Sequence, residues 1–322
     1  MIAVRSFGTR RRQVFAILLG AIVAATVPSA FFVWVAIGDT KDEIDTERLH
    51  LAQFAAAQAD RILSETFFEI ELASALISSR QEATPSESEG QPLRTLYGGG
   101  ASLSAGVLFL DGEGALVLAE PEVIALGLGR ERETQILADA RHAAGRSVSE
   151  PFILWATGHV VTALSVPVYG NDGQRMGTVI GLLDLAEPSI TDLVEPARRL
   201  GVTGHADLVD ERGIVLASTE HDHVMTPGDH PDFYQRAAVK RVATVAQVAH
   251  EPDGVGVDQS KSHIMAYAPL RNAPWGIAIG ASEGETMRTA NQLRRRLIIL
   301  GAASAATLLV GAVLATLRIP AR

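Results

Sequence analysis

The chain contains no cysteine in 322 residues, which excludes disulfides, thiolate metal sites and cysteine nucleophiles. Lysine is nearly absent too: only Lys41, Lys240 and Lys261 occur, and the other basic residues are arginines. Net charge is −9. A nucleic-acid partner needs clustered Lys and Arg against phosphate, so that class is set aside. Catalytic signatures are missing as well. There is no Gly-x-Ser-x-Gly, His-Glu-x-x-His or P-loop, and Gly127-Leu-Gly129 lacks the third glycine of a dinucleotide loop. Neither an enzyme nor a bound cofactor is expected.

What is present in excess is apolar residue, 47% of the chain. Two uncharged runs account for part of it. Residues 14–37 would span roughly 36 Å as a helix, enough for a bilayer core of about 30 Å. Arg5, Arg10, Arg11 and Arg12 precede the run and place 1–13 in the cytoplasm. Residues 297–317 form a second run, about 31 Å as a helix, followed by Arg318 and Arg322. Arg294, Arg295 and Arg296 on its other side run against the positive-inside rule, which weakens beside a long translocated domain. The expectation is a two-pass protein of the bacterial inner membrane. It has tails at 1–13 and 318–322, a linker and second span at 286–317, and an extracytoplasmic centre. Gly301, Ser304, Ala305, Gly311 and Ala312 would allow close helix packing, hence a homodimer.

Between the spans, 38–80 reads as one long helix. Ile44, Leu51, Ala55, Ala59, Ile62, Ile70, Ala73 and Ile77 recur at steps of three and four. A polar loop follows from Gln81 to Pro92. Thereafter the chain repeats itself. Leu110-Asp-Gly-Glu-Gly-Ala-Leu-Val117 parallels Val209-Asp-Glu-Arg-Gly-Ile-Val-Leu216, and Gly177-Thr-Val-Ile-Gly181 parallels Gly276-Ile-Ala-Ile-Gly280, both with an offset of 99 residues. Each copy combines short hairpins with a helix, Glu131–Ala144 in the first and Pro231–Lys240 in the second. This is an α+β layout of two units, 81–195 and 196–285.

These stretches resemble the double Cache family, the extracytoplasmic sensor module of bacterial histidine kinases, chemoreceptors and diguanylate cyclases. The likeness covers Asp39 to about Glu285. It rests on the Leu200–Ser218 hairpin, on His263-Ile-Met-Ala-Tyr-Ala-Pro269-Leu with Pro274-Trp275-Gly-Ile-Ala-Ile-Gly280, and on Ser149-Glu-Pro-Phe152, Ser165-Val-Pro-Val168 and Gly177–Asp184. The resemblance implies a long helix carrying two PAS-like units. It also implies a small ligand in the membrane-distal unit, and a signal passing through the second span to an output domain such as a histidine kinase, here expected to be on a separate chain or missing. Members that sense α-amino acids carry an Arg-x-Trp-Tyr motif before the mid-domain helix and an Asp on the last strand. Asp184 matches the Asp, whereas Glu133-Thr-Gln-Ile-Leu-Ala138 stands where the motif would be.

Candidate ligand contacts are therefore Asp184, a carboxylate among leucines that needs a partner if buried, and Trp155, Thr157, His159 and Thr162 on the neighbouring strand. His221, His223 and His230 form a histidine-rich patch in a polar stretch, read as a solvated loop with no metal ligand assigned; the alternative is a His-x-His strand that presents two imidazoles to zinc. The competing reading is a ligand-free interaction module for an envelope or kinase partner.

Overall fold

The computed structural model describes residues 5–79, 90–99, 103–124, 131–249 and 262–318. The chain divides into two compact units, one of Met1–Thr46 with Gly284–Arg322, the other Glu47–Glu283. The first helix, α1 (Arg5–Ser79), runs without a break through the two helices expected over 14–37 and 38–80. The side chains of 21–40 lie outside the described residues, and most of the expected span over 14–37 falls there. Among the described residues no helix is long and apolar enough to cross a membrane.

Within Glu47–Glu283, α1 buries one stripe, and that stripe holds both sheets. Ala52, Ala55, Ala56, Ala59, Leu63, Phe67, Ile70 and Ala73 are buried in one core with residues of both sheets. Each large side chain in that stripe is worth about 1.5–3 kcal/mol of burial. The expected stripe is close: Ala55, Ala59, Ile70 and Ala73 are in it, while Leu51, Ile62 and Ile77 pack at its margin. Polar clasps fix the register. Ser74 Oγ donates to Pro167 O. The Asp60 carboxylate accepts the backbone N–H groups of Arg271 and Asn272, and Asn272 Nδ2 donates to Ser64 Oγ.

The first sheet follows α2 (Gly90–Gly99) and consists of β1 (Gly106–Asp111), β2 (Leu116–Glu120), β3 (Ser147–Val148), β4 (Phe152–Ile153), β5 (Val160–Tyr169) and β6 (Arg175–Asp184). Its order is β2-β1-β6-β5-β3, with β4 also on β5, antiparallel throughout. Helix α2 corrects the expected loop over Gln81–Pro92. Residues 81–89 lie outside the described set, but Gly90, Gln91 and Pro92 begin a helix, and proline is tolerated in a first turn because its missing N–H would be unpaired there. Helix α3 (Glu131–His142) packs on β5 and β6. A one-turn helix (Pro188–Thr191) and a 3-10 turn (Glu195–Leu200) connect to the second sheet.

The second sheet is β8-β7-β11-β10-β9, from β7 (His205–Val209), β8 (Val215–Ser218), β9 (Thr244–Ala249), β10 (Ser262–Pro269) and β11 (Gly276–Ser282), with α4 (Pro231–Lys240) over one face. A last helix, α5, covers Arg288–Arg318.

The repeat is real at the hairpins. Asp111 Oδ1 accepts the N–H groups of Glu113 and Ala115, and Asp210 Oδ1 accepts those of Arg212 and Ile214. Both loops close on a glycine of positive φ, Gly114 at 86° and Gly213 at 81°, where a side chain would be strained. The second sequence match is out of step. Leu110 faces Thr178 across the sheet, whereas Val209 faces Gly276. The last strands therefore correspond with an offset of 98, and the matched glycines point to opposite faces.

Candidate functional site

Strand alternation decides which residues can reach a ligand. On β5 and β6, Leu164, Val166, Val168, Val179 and Leu183 face α1. Val161, Ala163, Ile180 and Leu182 face α3, where Ile136 and Ala140 cover them together with Phe152 and Leu154. Asp184 opposes Val161 and so shares the α3 face. Thr162 belongs to the other alternation. It is fully buried and donates to Ser149 O at 2.9 Å.

Between α3 and the sheet lies a cavity of ≈ 660 Å³, within the usual range for small-molecule sites. Its described lining includes Gln135 and Asp139 from α3, Ser147, Ser149 and Glu150 from the segment beside β5, and Ser165. These residues offer two carboxylates and several hydroxyls, with no basic side chain among them. Two arginines shape the surroundings. Arg175 caps the C-terminal end of α3, Nη1 donating to Ala143 O at 2.9 Å and Nη2 to Ala140 O at 3.3 Å. Arg146 forks onto Glu71 of α1 with bonds of 2.5 and 2.7 Å. That pair, through its hydrogen bond first, lowers the Glu71 pKa and raises that of Arg146.

None of the expected contact residues is among the described lining of this cavity. His159 Nδ1 meets Asp184 Oδ2 at 2.6 Å. The carboxylate only accepts, so the ring carries its proton on Nδ1. Asp184 Oδ1 accepts the Ala186 N–H, so both oxygens of this buried carboxylate are engaged. Thr157 Oγ1 accepts the His159 N–H at 3.3 Å. Trp155 sits in the tight turn between β4 and β5, 52% exposed. Thr162 touches the cavity wall only through Ser149.

Sequence reasoning passed over Gln135, Asp139, Ser149 and Glu150. The Glu150 carboxylate binds Arg212 Nη1 at 3.0 Å, and Arg212 also holds Asp210 at 3.1 Å. Burial opposes the Arg212 charge, but Asp210 and Glu150 outweigh it and raise its pKa. The cavity rim is thereby tied to the hairpin turn of the second sheet. The expected histidine patch divides. His221 is exposed, His223 approaches Glu220 and Asp229 at 3.5 Å, and His230 turns inward to meet His205 and His263.

Against known proteins, a family model described as the Cache domain matches residues 39–290. No curated protein is similar in sequence. Among solved structures, the extracellular domain of the putative histidine kinase rpHK1S-Z16 aligns at TM-score 0.59 and 17% identity, covering 75% of this chain and 95% of that one. The ligand-binding domain of the Pseudomonas aeruginosa PAO1 amino acid chemoreceptor PctB, in complex with L-Arg, gives 0.58 and 18%, covering 76% and 97%. An extracellular ligand binding receptor from Desulfohalobium retbaense gives 0.54 and 13%; the alignment covers 73% of this chain and spans 40% of that protein's length.

Proposed function

Since the chain belongs to the Cache domain family, we propose that it is a membrane-anchored extracytoplasmic sensor whose distal sheet binds a small ligand in the cavity under α3. The observation that carries this reading is the cavity itself, walled by an apolar sheet and rimmed by Asp139, Glu150 and serine hydroxyls. With Glu150 paired to Arg212, Asp139 and the serine hydroxyls favour a ligand with a cationic or hydrogen-bond-donating group, such as an amine, over a bare carboxylate. His159–Asp184 closes the end of the sheet next to it. Anchoring is supported by the apolar run 14–37 and by α5, which exposes Ile298, Ile299, Leu300, Leu309, Val310 and Leu314, an apolar surface that needs cover. The signal would leave through α5 to an output domain, with the ligand acting by its difference in affinity between two states.

The test is a thermal-shift screen of the full chain in detergent against amines, amino acids, organic acids and sugars. A ligand at about a hundred times its dissociation constant adds roughly 2.7 kcal/mol. The expected hit is amine-bearing. Its shift should be lost in Asp139→Asn with Glu150→Gln and weakened in Asp184→Ala. A folded chain that responds to none of these classes would reject the receptor reading in favour of an interaction module.

A further inference from the structure

In the second sheet the α4-facing positions of β7 and β10 are polar where a core is expected. His205 and Asp207 precede Val209 on β7, and His263 precedes Met265 and Tyr267 on β10. Val209, Met265 and Tyr267 pack with Phe233 and Tyr234 of α4. His230 stands immediately before α4. All three histidines are buried, His205 to 6%, His230 to 2% and His263 to 5% exposure, and their ring centroids lie 5.1–5.3 Å apart.

Their protonation is set by the backbone. His230 Nδ1 lies 3.1 Å from Ala249 O and His205 Nδ1 3.1 Å from Thr203 O. A carbonyl only accepts, so both Nδ1 atoms carry protons and both Nε2 atoms present lone pairs. His205 Nε2 is buried with no hydrogen-bond partner among the described residues, a costly state for a polar atom. His230 Nε2 faces His263 Nδ1 at 3.2 Å. Imidazoles held through one nitrogen by a carbonyl, with the other turned to a common point, are the arrangement metal-binding histidines adopt. One potential ligand atom from each ring falls within 4.8 Å of the other two. Zinc–nitrogen bonds of about 2.0–2.1 Å at the tetrahedral angle place ligand nitrogens about 3.3 Å apart, close to the His230–His263 separation.

Strand pairing gives the cluster its place. His205 opposes Gly280 on β11, which separates β7 from β10. Any side chain at Gly280 would strike Met265 Sδ, and its absence lets rings from the two flanking strands meet above β11. His263 opposes Ser282 as Val161 opposes Asp184 in the first sheet. The cluster therefore occupies the end of the sheet that in the other unit lies beside the ligand cavity.

We propose that His205, His230 and His263 bind a divalent transition cation of the Zn²⁺ class, leaving one coordination position for water or a further ligand. Three neutral imidazoles without thiolate or carboxylate suit Zn²⁺, Ni²⁺ or Cu²⁺ and not Ca²⁺ or Mg²⁺. Binding would shift the His263 proton from Nδ1 to Nε2, or reorient that ring, and join β7, β10 and the start of α4 at one point. This site is independent of the distal cavity.

The experiment is Zn²⁺ loading of the untagged full chain in detergent after chelator treatment, followed by desalting and metal analysis. Stoichiometric Zn²⁺ is expected in the wild type and in His223→Ala, which alters the neighbouring Glu220–His223–Asp229 group. It should be lost in His205→Gln and His263→Gln. X-ray absorption on the Zn²⁺-loaded wild type should show three imidazoles, a readout that needs no variant to fold. No retention of Zn²⁺, Ni²⁺ or Cu²⁺ by folded wild type, fewer than three imidazoles, or loss in His223→Ala with retention in His205→Gln would each overturn the site.

Discussion

Asp60 shows how much one side chain on a helix can organise. Its carboxylate receives two backbone N–H groups from the turn between β10 and β11, and hydrogen bonds to a charged acceptor are worth about 1.5–3 kcal/mol. Asp60→Ala should lower the free energy of unfolding by about that amount, read from the midpoint of a urea titration. Tyrosine gives a second test. Burial raises the Tyr267 pKa to about 12, with Arg241 pulling it back slightly, while Tyr234, buried beside Asp207, is held well above its usual value. The folded state keeps these protons more tightly than the unfolded chain, whose tyrosines titrate near 10. Stability present below about pH 10 should therefore fall as pH rises towards 12. Tyr267→Phe should flatten that alkaline limb, measured as melting temperature against pH.

Among elements, the two Asp-x-x-Gly hairpins are built alike and stressed differently. Asp210 is buried and also holds Arg212, whereas Asp111 is half-buried with only its own turn to cap. Asp210→Ala should cost roughly 1–3 kcal/mol and Asp111→Ala less, a ranking that paired denaturation curves would check. These hairpins were legible because their turn chemistry is local, and α4 matches its expected Pro231–Lys240 because Pro at its first position and an amphipathic stripe are local too. Other parts could not be read that way. Helix α2 begins in a Gly-Gln-Pro stretch that looks like a loop, and its hold comes from Leu93 and Leu96 packing under α1 and the sheet. Strands β3 and β4 are two residues each and exist only by pairing with β5. At the site, Asp184 and His159 were visible as residue types, but Thr162 lies on the opposite strand face and the cavity lining comes from α3, the 147–150 segment and β5. The histidine cluster joins positions far apart in sequence. Its traces were His230 in the histidine-rich patch and polar His205 and Asp207 alternating within an apolar strand.

For the whole molecule, the shared core along α1 makes the unit Glu47–Glu283 one cooperative body despite its repeat. Leu164 of the first sheet and Ala266 of the second are buried in the same cluster as Leu63 and Phe67. Leu164→Ala should destabilise both sheets together by about 2–5 kcal/mol. Trp155 and Trp275, one beside each sheet, should report coincident denaturation curves in variants that lack Trp34 and keep one of them; separate midpoints would show independent units. The one-residue slip between the repeats also governs how information may be transferred from one half to the other. An alignment keyed on Gly177 and Gly276 would carry Asp184 to Glu283, beyond the end of β11. Strand pairing carries it to Ser282, opposite His263. Residue roles inherited by counting along this chain would be assigned to the wrong side of the sheet, and only the hydrogen-bond ladder preserves the correspondence.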